Sequence, residues 1–212
     1  KLPLPDKQNI MFADFRRDPD QYPLKTPSGK IEIFSSTVAS FAYDDCLGHP
    51  AWFAPPEWLG AAEDTYPLHL LSNQPRTKLH SQLDQGPVAA AAKIKGREEV
   101  QMHKDDAAAR GIEEGDIIRL FNARGAIYVG VRITDQIRHG VVMVPTGAWL
   151  DLDKDDPELC KHGNPNMLAP DRPTSKLAQG PAAHSCLVQA EAVDQTRLPE
   201  VTAFIPPVIE KG

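Results

Sequence analysis

The stretch from Ile117 to Ile133 permits few folds. Ile127, Val129, Val131 and Ile133 recur at every second position, which in an extended chain puts all four on one face. Just before them Asn122-Ala123-Arg124-Gly125 interrupts the apolar run Ile117 to Phe121, so the two segments pair as a hairpin across a short turn. The chain from Tyr66 onward supplies further strands that can cover the apolar face. Leu68-His69-Leu70-Leu71 reads as a buried strand and Val141 to Val144 as another. Ser185 to Ala190 is a third, with Cys186, Val188 and Ala190 alternating against Leu187 and Gln189. One helix is predicted over Lys104 to Arg110, with acidic residues in its first turn, an Ala107-Ala108-Ala109 centre and Gly111 just past its end. The turns Gly111-x-x-x-Gly115-Asp116 and Arg138-His139-Gly140 each precede a strand, a faint echo that fits a pseudo-symmetric barrel. The sum is a mainly β barrel or sandwich with little helix.

Before Leu68 the texture differs. Nine of the 20 prolines fall there, which predicts a mostly extended and irregular stretch. Within it Thr26-Pro27-Ser28-Gly29 sets a turn, and Lys30-Ile31-Glu32-Ile33-Phe34 alternates as a strand. Asp44 to Gly60 carries His49, Trp52, Phe53 and Trp58 among prolines without a helical or strand period, the composition of an arm that leans on another surface.

Charge narrows the function classes. The chain has 23 Lys and Arg against 29 Asp and Glu, a net −6, with the acidic residues scattered, which speaks against a nucleic-acid surface. No apolar run approaches the roughly 18 residues of a membrane span, so a soluble protein is expected. Cys46, Cys160 and Cys186 are far apart with no C-x-x-C spacing, so they read as buried packing residues and not as a zinc site or a disulfide framework. The start at Lys1, within a proline-rich stretch, is read as the start of an excised portion, so that any targeting signal of the parent is not visible in this sequence.

Two loops concentrate polar groups. Ser72-Asn73-Gln74-Pro75-Arg76-Thr77-Lys78-Leu79-His80-Ser81-Gln82 follows a buried strand. Arg76 and Lys78 offer charge to a phosphate, Ser72, Thr77 and Ser81 offer hydroxyls, and Gln82 carries an amide that can read a heterocycle edge. A solvated loop is the plain alternative. The second loop is His162-Gly163-Asn164-Pro165-Asn166, followed by Thr174 to Gly180. His162, Asn164, Asn166, Ser175 and Gln179 are neutral hydrogen-bonding groups of the kind that recognise a purine or pterin edge, although a tight turn alone would explain the Asn-Pro-Asn. Cys160-Lys161-His162 resembles half a metal site but has no second pair nearby, so a surface cysteine and a turn histidine are expected. Asp151 to Asp156 lacks the glycine and distant glutamate of a calcium loop and reads as a solvated acidic loop. No G-x-S-x-G, G-x-G-x-x-G or Walker sequence is present.

Taken in order, these blocks resemble the C-terminal part of the dimethyl sulfoxide reductase family of molybdopterin enzymes, in its dimethyl sulfoxide, trimethylamine N-oxide and biotin sulfoxide reductase branch. The resemblance covers nearly the whole chain. It rests on Phe15 to Pro19 leading into Thr26 to Phe34, on Tyr43 to Cys46 with Pro56 to Gly60, and on Arg76 to Gln82. Ala107 to Ile112 with Gly115-Asp116, and His162 to Asn166 with Thr174 to Gly180, complete it. The resemblance implies an extended segment over 1–65 packed on preceding domains, a double-psi β-barrel over 66–192 with a few short helices, and a tail over 193–212. It also implies a bis(molybdopterin guanine dinucleotide) cofactor with molybdenum or tungsten, held chiefly by earlier domains. Arg76 and the His80-Ser81-Gln82 turn would face pterin and pyrophosphate, Asn164, Asn166, Ser175 and Gln179 would bond pterin or guanine edges, and Gly147 to Trp149 would pass close to the cofactor.

The family's side-chain metal ligand, typically serine, precedes the region present here, so no residue of this chain is assigned to the metal or to catalysis. The chain alone is expected to be inactive and without cofactor, its partners being the preceding domains and the S-oxide or N-oxide substrate of the parent, in the bacterial periplasm or cytoplasm. A self-processing decarboxylase on the same barrel would need a Gly-Ser pair, which the chain lacks. A protein-binding adaptor, supported by the aromatic arm Trp52 to Trp58, is the remaining alternative.

Overall fold

The structure is a computed structural model that describes residues 9–205. Its contacts divide the chain into two units, one running up to Phe53 together with Ser175–Ala178, the other comprising Ala54–Thr174 and the residues from Gln179 on.

The first unit holds two short helices, α1 (Ala13–Arg17) and α2 (Ser36–Ser40). The Ser35 hydroxyl caps α2 by accepting from the Val38 amide at 3.2 Å. The expected turn forms, with the Gly29 amide donating to the Thr26 carbonyl at 3.0 Å. The expected strand over Lys30 to Phe34 does not follow. Ile31 and Ile33 are 72% and 75% exposed, and no strand pairs with this segment among the described residues. Alternation makes a strand only where a neighbour accepts its ladder of hydrogen bonds, and none is present.

The second unit is built on the hairpin. β3 (Ile117–Asn122) and β4 (Gly125–Thr134) pair from Ile117↔Gly130 to Asn122↔Gly125 across the two-residue turn Ala123-Arg124. Ile127, Val129 and Val131 are fully buried and Ile133 packs against them. Because β4 runs for ten residues, it also takes β2 (Glu99–His103) in parallel along its second half and β6 (Leu159–Cys160) in parallel along its start. β1 (Leu68–Leu71) lies parallel to β5 (Val141–Met143) and antiparallel to β7 (Leu187–Ala192). The order β2-β5-β1-β7-β3-β4 closes through the β2–β4 pairing into a six-stranded barrel, with β6 outside it. Leu68, Leu70, Met102, Leu120, Val142 and Val188 fill the interior with the β4 residues.

This connectivity has an internal two-fold. Exchanging β1 with β4, β2 with β5 and β3 with β7 maps the parallel pair β1–β5 onto β4–β2 and the antiparallel pair β1–β7 onto β4–β3. The barrel is the double-psi β-barrel that the resemblance implies. The two echoing turns are not partners under this exchange, since Gly115-Asp116 leads into β3 and Gly140 into β5.

The predicted helix appears as α4 (Lys104–Ala108), after the short helix α3 (Pro87–Ala91) that no sequence signal announced. Asp106 of α4 is buried and accepts from the Gly140 amide at 2.7 Å, which ties the helix to the turn before β5. Cys160 and Cys186 are fully buried, so the expectation of a surface Cys160 fails while that of packing cysteines holds for both. Burial pushes the Cys186 thiol up to about 11. Asp151 does not belong to a solvated loop either, because it is 7% exposed and accepts from the Thr202 hydroxyl at 2.6 Å and the Lys161 ammonium at 3.2 Å. Among the described residues no helix is long and apolar enough to cross a membrane.

The contrast between the two alternating segments is measurable by urea unfolding. Ile127→Ala should cost about 2–5 kcal/mol through a core cavity, whereas Ile31→Ala should change stability by less than about 0.5 kcal/mol. Equal losses at the two sites would contradict the assignment of the core to β4.

Candidate functional site

After β1 the chain leaves the barrel and folds into a tight turn. The Gln82 amide donates to the Leu79 carbonyl at 2.9 Å and the Leu79 amide to the Gln82 carbonyl at 3.3 Å, which leaves His80 and Ser81 at the tip. His80 and Leu83 hold positive φ angles of 51° and 65°, conformations that cost free energy in non-glycine residues. His80, Ser81 and Gln82 are exposed.

The back of this turn is held by the segment after β5. A Cβ at Gly147 would stand 1.8 Å from the His80 carbonyl oxygen, so only glycine lets the two backbones meet. Two residues on, the Trp149 indole Nε1 donates to the Ser81 carbonyl at 2.8 Å and the Trp149 amide donates to Asp84 Oδ2 at 3.0 Å.

Beneath the turn lies a buried charge quartet that the sequence did not announce. Lys78 Nζ is 2.7 Å from Asp84 Oδ1 and 2.6 Å from Glu98 Oε1, and Lys93 Nζ bonds the same two oxygens, at 2.8 Å to Asp84. All four side chains are at most 7% exposed. Two cations and two anions cancel, which is what makes the burial of four charges tolerable. Burial pushes the Asp84 carboxyl up, but hydrogen bonds from Lys78, Lys93 and the Trp149 amide outweigh it and hold the group at about 2. Lys78 therefore does not offer its charge to a phosphate, contrary to the sequence reading.

The quartet reaches the second polar loop through His162. This residue is fully buried, its Nδ1–H donates to the Trp149 carbonyl at 3.0 Å, and Nδ1 lies 3.8 Å from Asp84. Its ring meets Phe204 edge to face at 5.1 Å. Burial and then the Lys93 ammonium push its pKa down, so it stays neutral. The Glu98 amide donates to the His162 carbonyl at 3.2 Å, and a Cβ at Gly163 would stand 2.9 Å from that of Glu98. His162 thus supports the site from below and does not read a ligand edge at the surface.

The remaining predicted residues are placed unevenly. Asn164 is half-buried, and its side-chain oxygen caps the 3-10 turn Pro165–Met167 by accepting from the Asn166 amide at 3.0 Å. Asn166 is exposed. Arg76 is exposed and, with Asn73, Thr77, Glu99, Gln101 and Pro145, lines a cleft of about 180 Å³. Gln179 is exposed on a strap that the Thr174 amide closes by donating to the Gly180 carbonyl at 2.8 Å. Ser175 falls in the first unit, where its hydroxyl accepts from the Ala178 amide at 2.9 Å. The structure thus gathers His80, Ser81, Gly147, Trp149 and the start of the Asn164 loop around one buried support.

Asp84, Glu98 and His162 also present ligand atoms within 4.8 Å of one another, the arrangement of a metal centre. Here both carboxylates already bind two ammonium groups, so a cation entering between them would have to displace both lysines. The group is an electrostatic support.

The sequence profile described as Molydopterin dinucleotide binding domain matches residues 68–187, the whole barrel up to the start of β7. Biotin sulfoxide reductase of Cereibacter sphaeroides is 46% identical over 187 residues, which is 88% of this chain and 25% of that protein. Trimethylamine-N-oxide reductase of Haemophilus influenzae is 44% identical over 204 residues, 95% of this chain and 25% of that protein. Dimethyl sulfoxide/trimethylamine N-oxide reductase of Cereibacter sphaeroides is 42% identical over 194 residues, 90% and 24%. The chain therefore spans about a quarter of the length of the curated relatives it matches. Among solved structures, acetylene hydratase from Pelobacter acetylenicus superposes with a TM-score of 0.64 at 19% identity, covering 81% of this chain and 24% of the other, a likeness of fold.

The buried histidine predicts an acid sensitivity. Because its pKa is lower folded than unfolded, the unfolded chain binds the extra proton first, and stability falls as pH drops below about 6.5. His162→Gln keeps a donor for Trp149 without a titrating group, so thermal melts between pH 8 and pH 5 should slope for the native chain and be flatter for the variant. Parallel slopes would remove His162 as the cause.

Proposed function

We propose, from the premise that this chain belongs to the Molydopterin dinucleotide binding domain family, that it grips a bis(molybdopterin guanine dinucleotide) cofactor as the C-terminal portion of an S-oxide or N-oxide reductase. The names of its relatives supply the substrate class. The single observation that carries the reading is the meeting of two polar loops. The turn with His80, Ser81 and Gln82 and the loop that opens at His162 are bonded to the same buried quartet and to Trp149.

The residues fit such a group. A flat, phosphate-bearing heterocycle needs close backbone approach, amide and hydroxyl partners, and a cation for its pyrophosphate. Gly147 allows the backbone approach, His80, Ser81 and Gln82 present exposed polar side chains on a fixed turn, and Arg76 supplies the exposed cation. In this proposal Arg76 meets pyrophosphate, His80, Ser81 and Gln82 meet the pterin, and Gly147 and Trp149 border it. Asn166 and Gln179 offer exposed amides to pterin or guanine edges. Asn164 has its oxygen committed to its own cap and contributes through its NH2 group; Ser175, which belongs to the first unit, is proposed as a cofactor contact on the family resemblance alone.

The metal of such a cofactor, molybdenum or tungsten, supplies oxygen-atom transfer from the oxide. The metal's side-chain ligand and the substrate funnel are assigned to preceding domains, which are the partners proposed here. This chain's residues bind and orient, and the barrel over 66–192 is the part that does so.

Gln82→Ala or Asn166→Ala, made in the longer protein proposed to carry this sequence, should weaken cofactor retention about threefold to tenfold, the range of one lost hydrogen bond. Pterin and metal per folded polypeptide are the quantities to measure. Unchanged content in both variants would overturn the site.

A further inference from the structure

The quartet has a pattern inside it. Lys78 and Asp84 flank the turn closed by Leu79 and Gln82, and Lys93 and Glu98 flank a second turn closed by Ile94 and Arg97, with 3.0 Å bonds in both directions. Each turn begins directly after a lysine and is followed by a carboxylate, at once in the second turn and after Leu83 in the first, and each contains a non-glycine residue at positive φ, His80 at 51° and Lys95 at 49°. Each lysine bonds its own turn's carboxylate and that of the other turn. The first turn meets the candidate cofactor face through the Asp84 carboxylate and the Ser81 carbonyl, which accept from Trp149, whereas the second meets it through the Glu98 backbone amide, a bond to the His162 carbonyl that Glu98→Gln leaves in place.

We propose that Lys78 and Asp84 are positioning residues, a clasp that fixes the exposed turn from Leu79 to Leu83 in its ligand-ready conformation, while Lys93 and Glu98 close the second turn and keep the buried group neutral. This rests on the reading that the exposed turn contacts the cofactor. Left alone, a turn with two strained residues samples open conformations, and ligand binding would then have to supply the ordering free energy. A buried ion pair across the ends of the turn removes that cost in advance, and Trp149 passes the constraint from Asp84 to the Ser81 carbonyl. Leu79 and Leu83 are 55% and 71% exposed, so burial of their side chains does not hold the turn.

Two double variants remove one cation and one anion each and leave the remaining pair neutral. Lys78→Met with Asp84→Asn breaks the clasp, and Lys93→Met with Glu98→Gln breaks the other pair. Hydrogen exchange reads both turns without any ligand. The Gln82 amide should exchange about tenfold faster or more in the first variant, the scale of one lost charge-assisted bond, and stay near the native rate in the second. The Arg97 amide should respond in the opposite order. Equal effects of the two variants on Gln82 would overturn the clasp.

Should the first variant fail to fold, the native chain still decides. A Gln82 amide that exchanges as slowly as the barrel strands supports the clasp, and one that exchanges like an open loop overturns it. In the longer protein, pterin content should drop in the Lys78/Asp84 variant and hold in the Lys93/Glu98 variant at matched thermal midpoints. If the turn opens and pterin content does not change, the clasp stands and the cofactor reading of this turn falls.

Discussion

The length of β4 governs the rest of the molecule. A strand of ten residues can pair with β3 on one side and still offer hydrogen-bonding positions to β2 and β6 along different parts of the other. Without the β2 pairing the sheet would have two open edges, and the interior faces of β1, β2 and β5 would have nothing to close against. The alternation of Ile127, Val129 and Val131 supplies the apolar face for this closure, and the two-residue turn at Ala123-Arg124 sets its register. The loops that carry the polar residues leave from a barrel already closed, which is why they can be built from strained and charged pieces.

What the sequence revealed and what it hid follow from range. The β3–β4 hairpin is local, with a period of two and a turn between its halves, and it was legible residue by residue. β2 was not, because Glu99-Val-Gln-Met-His103 contains only two apolar positions, both buried against strands distant in sequence. The segment Lys30 to Phe34 carries a similar alternation and forms no strand, since pairing partners are set by the fold and not by the segment. Around the site, the polar composition of Ser72 to Gln82 marks the stretch that folds into the exposed turn at His80-Ser81. The role of Lys78 was misread because lysine and glutamate are expected at the surface, and only the folding back of two turns brings four such groups together out of water. His162 was misread for the same reason: a histidine beside Gly-Asn-Pro reads as a surface group until Phe204 and Trp149 are seen to cover it.

Hydrophobic residues of similar volume could replace a buried quartet with little loss of stability, and removing one member alone would strand a charge. A charged support therefore gives something other than raw stability. It gives direction: each ammonium must point at two particular oxygens, and those oxygens belong to the ends of two particular turns. An apolar plug carries no such direction, whereas each bond of the quartet joins one named lysine to one named carboxylate.

The cysteines bear on what holds such a barrel closed. All three are unpaired, the two in the barrel are sealed from solvent, and that at Cys186 keeps its proton far above neutrality. A thiol in that state is a poor partner for thiol–disulfide exchange. Among the described residues no disulfide ties the barrel together, so its closure rests on strand pairing and packing and offers a reductant no bond to break.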